Sequence, residues 1–409
     1  MRSPLNNPFT PGSDTVPEVW AGRVTQLTEW SQVVRPRLHA GLAERGRTIL
    51  GEPGLGKSTL VRRIAAHATA AGDWATPQVR IPVGADPLKA VASAILRLAD
   101  LAGLPAAREQ RIAEALNRVR AVAASGISLS LDRQAGPEPY VALTELLVEI
   151  GVAARRAGRV VLVHVDEVQN IVDDRALSQL LISLGDAITV RVPTELPGGV
   201  VDELPLPVAV YLTGLPEFSE RASSRNGATF ARRFATTTLE PLSDDDLRFA
   251  LSAFTRAGWE AADGAGGIGR IRMSADAAER IVSLSHGEPF LFQLAGERAW
   301  YAGTGETITL DDVRAGWEAA RYEAAAHVER IFDRLPAKEQ EFVRCMAELE
   351  PGKRTATGIA RAMGYAHATN VGPFAQRLDT VRGIISRGRN YAFRHRALEA
   401  YLTTSWPNG

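Results

Sequence analysis

The chain has 409 residues, and at about 100 to 200 residues per domain that is room for two or three domains rather than one oversized core. Hydrophobic residues are 45% and charged residues 23%, the balance of an ordinary globular protein and not of a disordered or fibrous one. Lys plus Arg and Asp plus Glu number 47 each, so no global field draws the chain to nucleic acid or anionic membrane, and any electrostatic partner must be read from a local patch.

The single cysteine, Cys345, excludes a disulfide framework and any multi-cysteine metal centre. The opening residues have no apolar core of a leader, and no stretch approaches the ~18 apolar residues of a membrane span. A cytoplasmic protein is the expectation.

Residues 1–18, rich in Pro, Asn, Ser and Thr, read as an extended N-terminal tail or an arm lying on the body. Helical apolar spacing begins at Thr25 and leads into a short apolar strand, Arg47-Thr-Ile-Leu50, that stops at Gly51. The chain then alternates. Helices are expected over 58–71, 87–101, 107–122, 140–157 and 175–184, and strands over 79–83, 160–165, 208–213 and 236–239. These strands are apolar throughout, as strands of a parallel sheet covered on both faces must be. The expected α/β domain spans 19–240. Two segments, 127–131 and 188–206, interrupt the alternation as hairpin-like insertions.

After Pro241 the spacing is helical only. Ser243 is placed to cap a helix whose first turn holds Asp244, Asp245 and Asp246, and further helices are expected over 274–285, 288–302 and 310–335. An all-α lid with a connecting helix is therefore assigned to 241–335. The remainder, 336–409, reads as three short helices and two short strands about Gly388, a winged-helix pattern.

The chemistry is concentrated in Gly51-Glu52-Pro53-Gly54-Leu55-Gly56-Lys57-Ser58, which satisfies G-x-x-x-x-G-K-[ST] between an expected strand and an expected helix. Glycines let backbone N–H groups converge on phosphate oxygens, and the helix start adds its positive end. Lys57 supplies a charge to the β- and γ-phosphates, and the Ser58 hydroxyl is a Mg²⁺ ligand. The strand 160–165 ends in Asp166-Glu167, which delivers two carboxylates to the carboxyl edge of the sheet. Asp166 is the expected Mg²⁺ holder and Glu167 the base that polarises the attacking water. His164 lacks a second ligand at metal spacing and reads as packed. Thr213 closes the strand 208–213; it either reaches the γ-phosphate or attacking water, or caps the next turn. Arg225, Arg232 and Arg233 are candidates for a cation acting across a subunit boundary, and spacing does not choose among them.

These residues resemble the AAA+ P-loop ATPases, in their origin-recognition or initiator-like branch and the neighbouring STAND-like ATPases. Trp20-Ala-Gly-Arg23 is similar to the family's "GR" element, which adds Arg23 to the ATP-binding set of Gly51, Glu52, Pro53, Gly54, Leu55, Gly56, Lys57, Ser58 and Thr59. VVLVHVDEVQN resembles Walker B and VAVYLTGLPEF the sensor-1 strand, implying that Thr213 is catalytic. ARRF resembles the arginine-finger region, implying Arg232 or Arg233. In the helix similar to sensor 2, Phe290 stands where many initiators have arginine; the resemblance leaves two alternatives, substitution by Arg298 two turns on or absence of the contact, as in many STAND-like members.

Residues 336–409 carry 11 Lys plus Arg against 6 Asp plus Glu, which leaves 36 against 41 elsewhere. Arg377, Arg382, Arg387, Arg389, Arg394 and Arg396 lie on the third helix and wing, where such domains meet DNA phosphates. The expected protein is an Mg-dependent ATPase that couples nucleotide state to double-stranded DNA binding or self-association. The alternatives are a STAND-like ATP/ADP switch recruiting a protein partner, or a docking ATPase of a secretion or transposition system.

Overall fold

A computed structural model of the chain describes all residues except 14, 104–138, 197, 223–231, 263–266 and 409. It separates into two compact units. One comprises Met1–Arg23, Gly51–Thr59 and Thr238–Gly409, the other Val24–Leu50 and Leu60–Thr237.

The second unit is built on a sheet of β1 (Gly46–Leu50), β2 (Trp74–Ala75), β3 (Val79–Arg80), β4 (Val161–Asp166), β7 (Val208–Gly214) and β8 (Phe234–Thr238). The order is β2-β4-β7-β1-β8, with β3 also on β4. The pairs β1–β7, β4–β7, β2–β4 and β3–β4 are parallel. Every residue of β1, β4 and β7 is buried, which is why those strands read as unbroken apolar runs. The helices around them are α1 (Val24–Glu29), α2 (Arg35–His39), α3 (Lys57–Ala70), α4 (Pro87–Leu101), α5 (Pro139–Arg156), α6 (Asp174–Thr189) and α7 (Phe218–Ala222). Asp86 caps α4 by accepting from the N–H groups of Leu88 and Lys89, with Pro87 in the first turn where its missing N–H costs nothing. Asp173 caps α6 in the same way. The hairpin expected over 188–206 is present as β5 (Arg191–Glu195) paired antiparallel with β6 (Val201–Pro205). The expected helix 107–122 and strand 127–131 lie outside the described residues.

The other unit holds α8 (Asp244–Ser252), α9 (Ala275–Ser285), α10 (Pro289–Ala302) and α11 (Leu310–Asp333). The Ser243 hydroxyl accepts from the Asp246 N–H and the Asp246 carboxylate closes the box on the Ser243 N–H. The expectation of helix alone after Pro241 is corrected: β9 (Trp259–Ala262), β10 (Ile268–Met273) and β11 (Thr307–Ile308) form a three-stranded sheet in the order β11-β10-β9. In β10, Ile271 and Met273 turn into the core while Ile268, Arg270 and Arg272 turn outward, a period of two that helical scanning passes over. The N-terminal arm is anchored in the same core. Phe9 is buried, stacks on Phe254 at 5.6 Å and fills the space beside Gly296, where a Cβ would lie 2.3 Å from its ring. Arg2 is buried too, donating to the carbonyls of Ala299, Thr307 and Gly305 and pairing with Asp312.

Residues beyond α11 form α12 (Ala337–Glu348), α13 (Ala356–Ala362) and α14 (Gly372–Gln376), an antiparallel pair β12 (Ile385–Ser386) and β13 (Ala392–Phe393), and α15 (Arg396–Thr403). Among the described residues no helix is long and apolar enough to cross a membrane.

Candidate nucleotide-binding site

The buried strand β1 ends at Leu50, the loop 51–56 follows, and α3 starts at Lys57. Gly54 and Gly56 sit at φ +86° and +79°, backbone that L side chains rarely adopt, and a Cβ on Gly56 would meet nothing within 4 Å. The loop therefore opens on space at Gly56 with the helix N-terminus behind it, a cradle suited to an anion. The Lys57 Nζ donates to the Glu52 carbonyl at 3.0 Å, which closes the loop on itself. Leu55 is buried and anchors the loop, while Pro53, Ser58 and Thr59 are half-buried.

Arg23 reaches the same loop, donating to the Leu55 carbonyl at 2.9 Å and to the Glu240 carbonyl at 2.8 Å. Burial pushes its guanidinium down to about 10, against the upward pull of Glu288, Asp246 and Glu240, so it stays charged at neutral pH. Glu52 departs from the expected pattern. Its side chain is 1% exposed and ion-paired to Arg334 at 2.9 Å.

Asp166 and Glu167 lie in the other unit. The parallel register puts Val165 opposite Leu212, so Asp166 and Thr213 share the carboxyl edge of the sheet. Asp166, 1% exposed, accepts from the Thr213 hydroxyl, the Gln78 amide and the Glu167 N–H. Thr213 has one proton, given to Asp166, so it accepts from His164 Nε2 at 3.1 Å. Burial pushes His164 down to about 4, Asp166 pulling it up and Arg62 down, and the neutral ring with its proton on Nε2 serves as a fixed donor. Replacing Thr213 by Val leaves Asp166 and His164 short of one partner each. The expected cost is about 1–3 kcal/mol of unfolding free energy for this unit, read by denaturant titration.

Glu167 adopts φ 60° and ψ 40°, left-handed for a residue with a Cβ. Such backbone costs ~1–3 kcal/mol and persists where the surroundings enforce it. Gln169 does so here: its amide donates to Glu167 Oε2 and its Oε1 accepts from the Leu215 N–H at 3.1 Å. Gln78 and Gln169 escaped sequence reasoning, since nothing local to either residue shows a partner 88 or 46 positions away.

Arg233 pairs with Asp186, and its carbonyl accepts from the Gly46 N–H at 3.0 Å, at the start of β1. That is the opposite end of a five-residue strand from the loop, about 16 Å at ~3.3 Å per residue. Arg232 is exposed, and Arg225 lies outside the described residues. Arg298 pairs with Glu323 at 3.0 Å and Glu297 at 3.7 Å. Phe290 instead donates its N–H to the Gly54 carbonyl at 3.3 Å and packs on His327, ring centroids 4.5 Å apart.

The C-terminal arginines are mostly spoken for. Arg382 is 5% exposed and lies 2.8 Å from Glu339, which removes it from the set offered to DNA. Arg377 also pairs with Glu339, Arg387 and Arg394 with Asp379, and Arg396 with Asp244. Arg389 is exposed and makes no ion pair among the described residues.

No protein-family model and no curated protein matches the chain. Solved structures do. The ORC2 protein of Aeropyrum pernix, determined as ADPNP–ADP complexes, aligns over 94% of this chain and 93% of its own at 16% identity and a TM-score of 0.53. The Walker-type ATPase paby2304 of Pyrococcus abyssi aligns over 91% of this chain and 95% of its own, also at 16% identity, with a TM-score of 0.52. A buried parallel sheet that runs into a glycine loop and then a helix, in a chain that aligns over nearly its whole length with these proteins, has the fold of the AAA+ P-loop NTPases.

Proposed function

We propose that the chain binds and hydrolyses ATP with Mg²⁺ and uses the nucleotide state to control DNA binding or assembly through a C-terminal winged helix. The observation that carries the reading is the loop 51–56, with two left-handed glycines opening from a buried strand into α3. The N–H groups of Gly51, Glu52, Pro53's neighbour Gly54, Leu55, Gly56 and the first turn of α3 would hold phosphate oxygens. Lys57 would leave the Glu52 carbonyl to meet the β- and γ-phosphates. Ser58 and Asp166 are oxygen donors of the kind Mg²⁺ takes, and Asp166 is buried with hydrogen-bond donors on both oxygens that fix its direction. When bound, the metal would neutralise charge on the phosphates. Glu167 would take the proton of the attacking water, and Thr213 would fix Asp166. Arg232 or Arg233, at the end of β1 remote from the loop, would act on a neighbouring copy. A cytoplasmic location accompanies this reading.

Lys57→Ala is expected to weaken binding of a fluorescent ATP analogue at least about tenfold, since it removes the charge aimed at the phosphates. Tight binding by that variant would overturn the assignment. For the DNA half, anisotropy of a labelled duplex with the Glu167→Gln chain, in ATP and in ADP across a salt series, should show affinity that falls with salt. Arg389→Ala should reduce the salt slope by about one.

A second reading is favoured by a specific observation: five of the six C-terminal arginines are already paired within the chain. In this reading the C-terminal residues meet a protein partner in an ATP/ADP switch. Absence of duplex binding at low salt selects it.

A further inference from the structure

A carboxylate inside a phosphate-binding loop is an electrostatic liability. Glu52 is the second residue of the loop, and at 1% exposure it cannot be screened by water. Two guanidiniums from outside the loop meet it. Arg334, closing α11, places Nη1 2.9 Å from Glu52 Oε2. Arg382, from the segment before β12, places Nη1 3.7 Å from Glu52 Oε1, and its Nε lies 2.8 Å from Glu339. Arg377 adds a third cation at 2.9 Å from Glu339. The same loop is held at Gly54 by the Phe290 N–H and at Leu55 by Arg23. Every contact lies within one compact unit, which contains both the loop and the C-terminal residues.

We propose that Glu52, Arg334 and Arg382 form a charge-compensating brace that positions the phosphate-binding loop, the two arginines cancelling the Glu52 charge where a nucleoside triphosphate is to bind. The inference rests on the ATP-binding reading above. Its consequence is that nucleotide affinity depends on the C-terminal residues being docked. If Arg382 withdraws, a buried anion is left facing another, and if Arg334 withdraws the loss is larger because its contact is shorter. Arg334 and Arg382 are positioning residues, acting on the nucleotide only through Glu52.

The brace makes a prediction that ordinary structural contacts do not: removing the anion should cure the loss of the cation. Binding of a fluorescent ADP analogue and a fluorescent ATP analogue is measured on the full chain for wild type, Arg334→Gln, Arg334→Lys, Arg382→Gln, Glu52→Gln and the Glu52→Gln, Arg334→Gln double variant. Arg334→Gln is expected to weaken binding ~10- to 100-fold, more for the triphosphate than the diphosphate, because a buried carboxylate loses its partner. Arg334→Lys keeps the charge and should stay within about threefold of wild type. Glu52→Gln keeps the backbone N–H of the loop and removes the anion, so it should bind the triphosphate more tightly than wild type, and the double variant should return to within about threefold of Glu52→Gln.

Binding by Glu52→Gln no tighter than wild type, or a double variant no better than Arg334→Gln, overturns the brace and leaves those contacts merely structural. Should Arg334→Gln unfold, Glu52→Gln decides alone, since it relieves a buried anion rather than creating one. Wild type that binds nucleotide while all variants bind alike overturns the brace and spares the nucleotide reading. Wild type that binds no nucleotide overturns both.

Discussion

Glu167→Gln should hold ATP as wild type does and turn it over ~10²- to 10⁴-fold more slowly, the range a positioned general base contributes. Phosphate release measures turnover, and a fluorescent ATP analogue measures the retained affinity. The substitution swaps a proton acceptor for an amide of the same shape, so the Gln169 contact can be remade while the basicity is gone. The geometry argues for a dedicated role. A left-handed residue with a side chain directly after a buried strand is costly, and Gln169 and Asp166 both bond to Glu167 to keep it there. Normal turnover by Glu167→Gln would remove it as the base. Gln169→Leu offers a graded control: it should lower kcat while leaving KM near wild type, because it releases Glu167 without touching a phosphate contact.

The strands β1, β4 and β7 and the loop between β1 and α3 were legible because their causes are local. A strand covered on both faces must be apolar at every position, and a loop that folds backbone around phosphate must have glycine at its left-handed positions. Asp166, Glu167 and Thr213 were legible as strand-end polar residues for the same reason. What escaped was long-range. Six arginines near the C-terminus read as a basic face, but a count of signs does not reveal that Arg396 meets Asp244 across 152 residues or that Arg382 is buried on Glu339. The chain spends that charge internally. The sheet of β9, β10 and β11 escaped because its strands are short and sit among helices, where alternation over six residues is a weak signal beside Ala-rich helical spacing. The anchoring of the arm 1–18 escaped as well, because the burial of Phe9 depends on a hollow made by Gly296 far along the chain.

His395→Gln should cost ~3–5 kcal/mol at pH 6 in the unit that contains the loop, with the cost shrinking as pH rises. Glu288 is fully buried; desolvation pushes its carboxyl up, but His395 at 2.8 Å and His327 at 3.5 Å outweigh it and hold it down at about 2. Burial pushes His395 down, and Glu288, with Glu52 beyond it, pulls it above its ordinary value by more. A histidine raised on folding stabilises fully below its unfolded pKa of ~6.5 and loses that stabilisation as pH climbs through the folded value. The lowered Glu288 stabilises above ~4.5 and is lost only as pH falls through about 2. The pair is therefore at full strength between about pH 4.5 and 6.5. His286 and His164, both pushed down to about 4 by burial, act with the opposite sign and withdraw stability below ~6.5. Wild-type unfolding midpoints should thus peak near pH ~6.5, and the gap between wild type and His395→Gln should narrow toward pH 9. A gap that stays constant from pH 6 to 9 would mean His395 is neutral in the folded chain and Glu288 is held by His327 alone. Because Glu288 immediately precedes α10, whose Phe290 caps Gly54, losing the pair would also loosen the loop, and the same titration repeated with an ADP analogue should show weaker binding by His395→Gln at pH 6, with wild-type affinity falling toward that of the variant as pH rises.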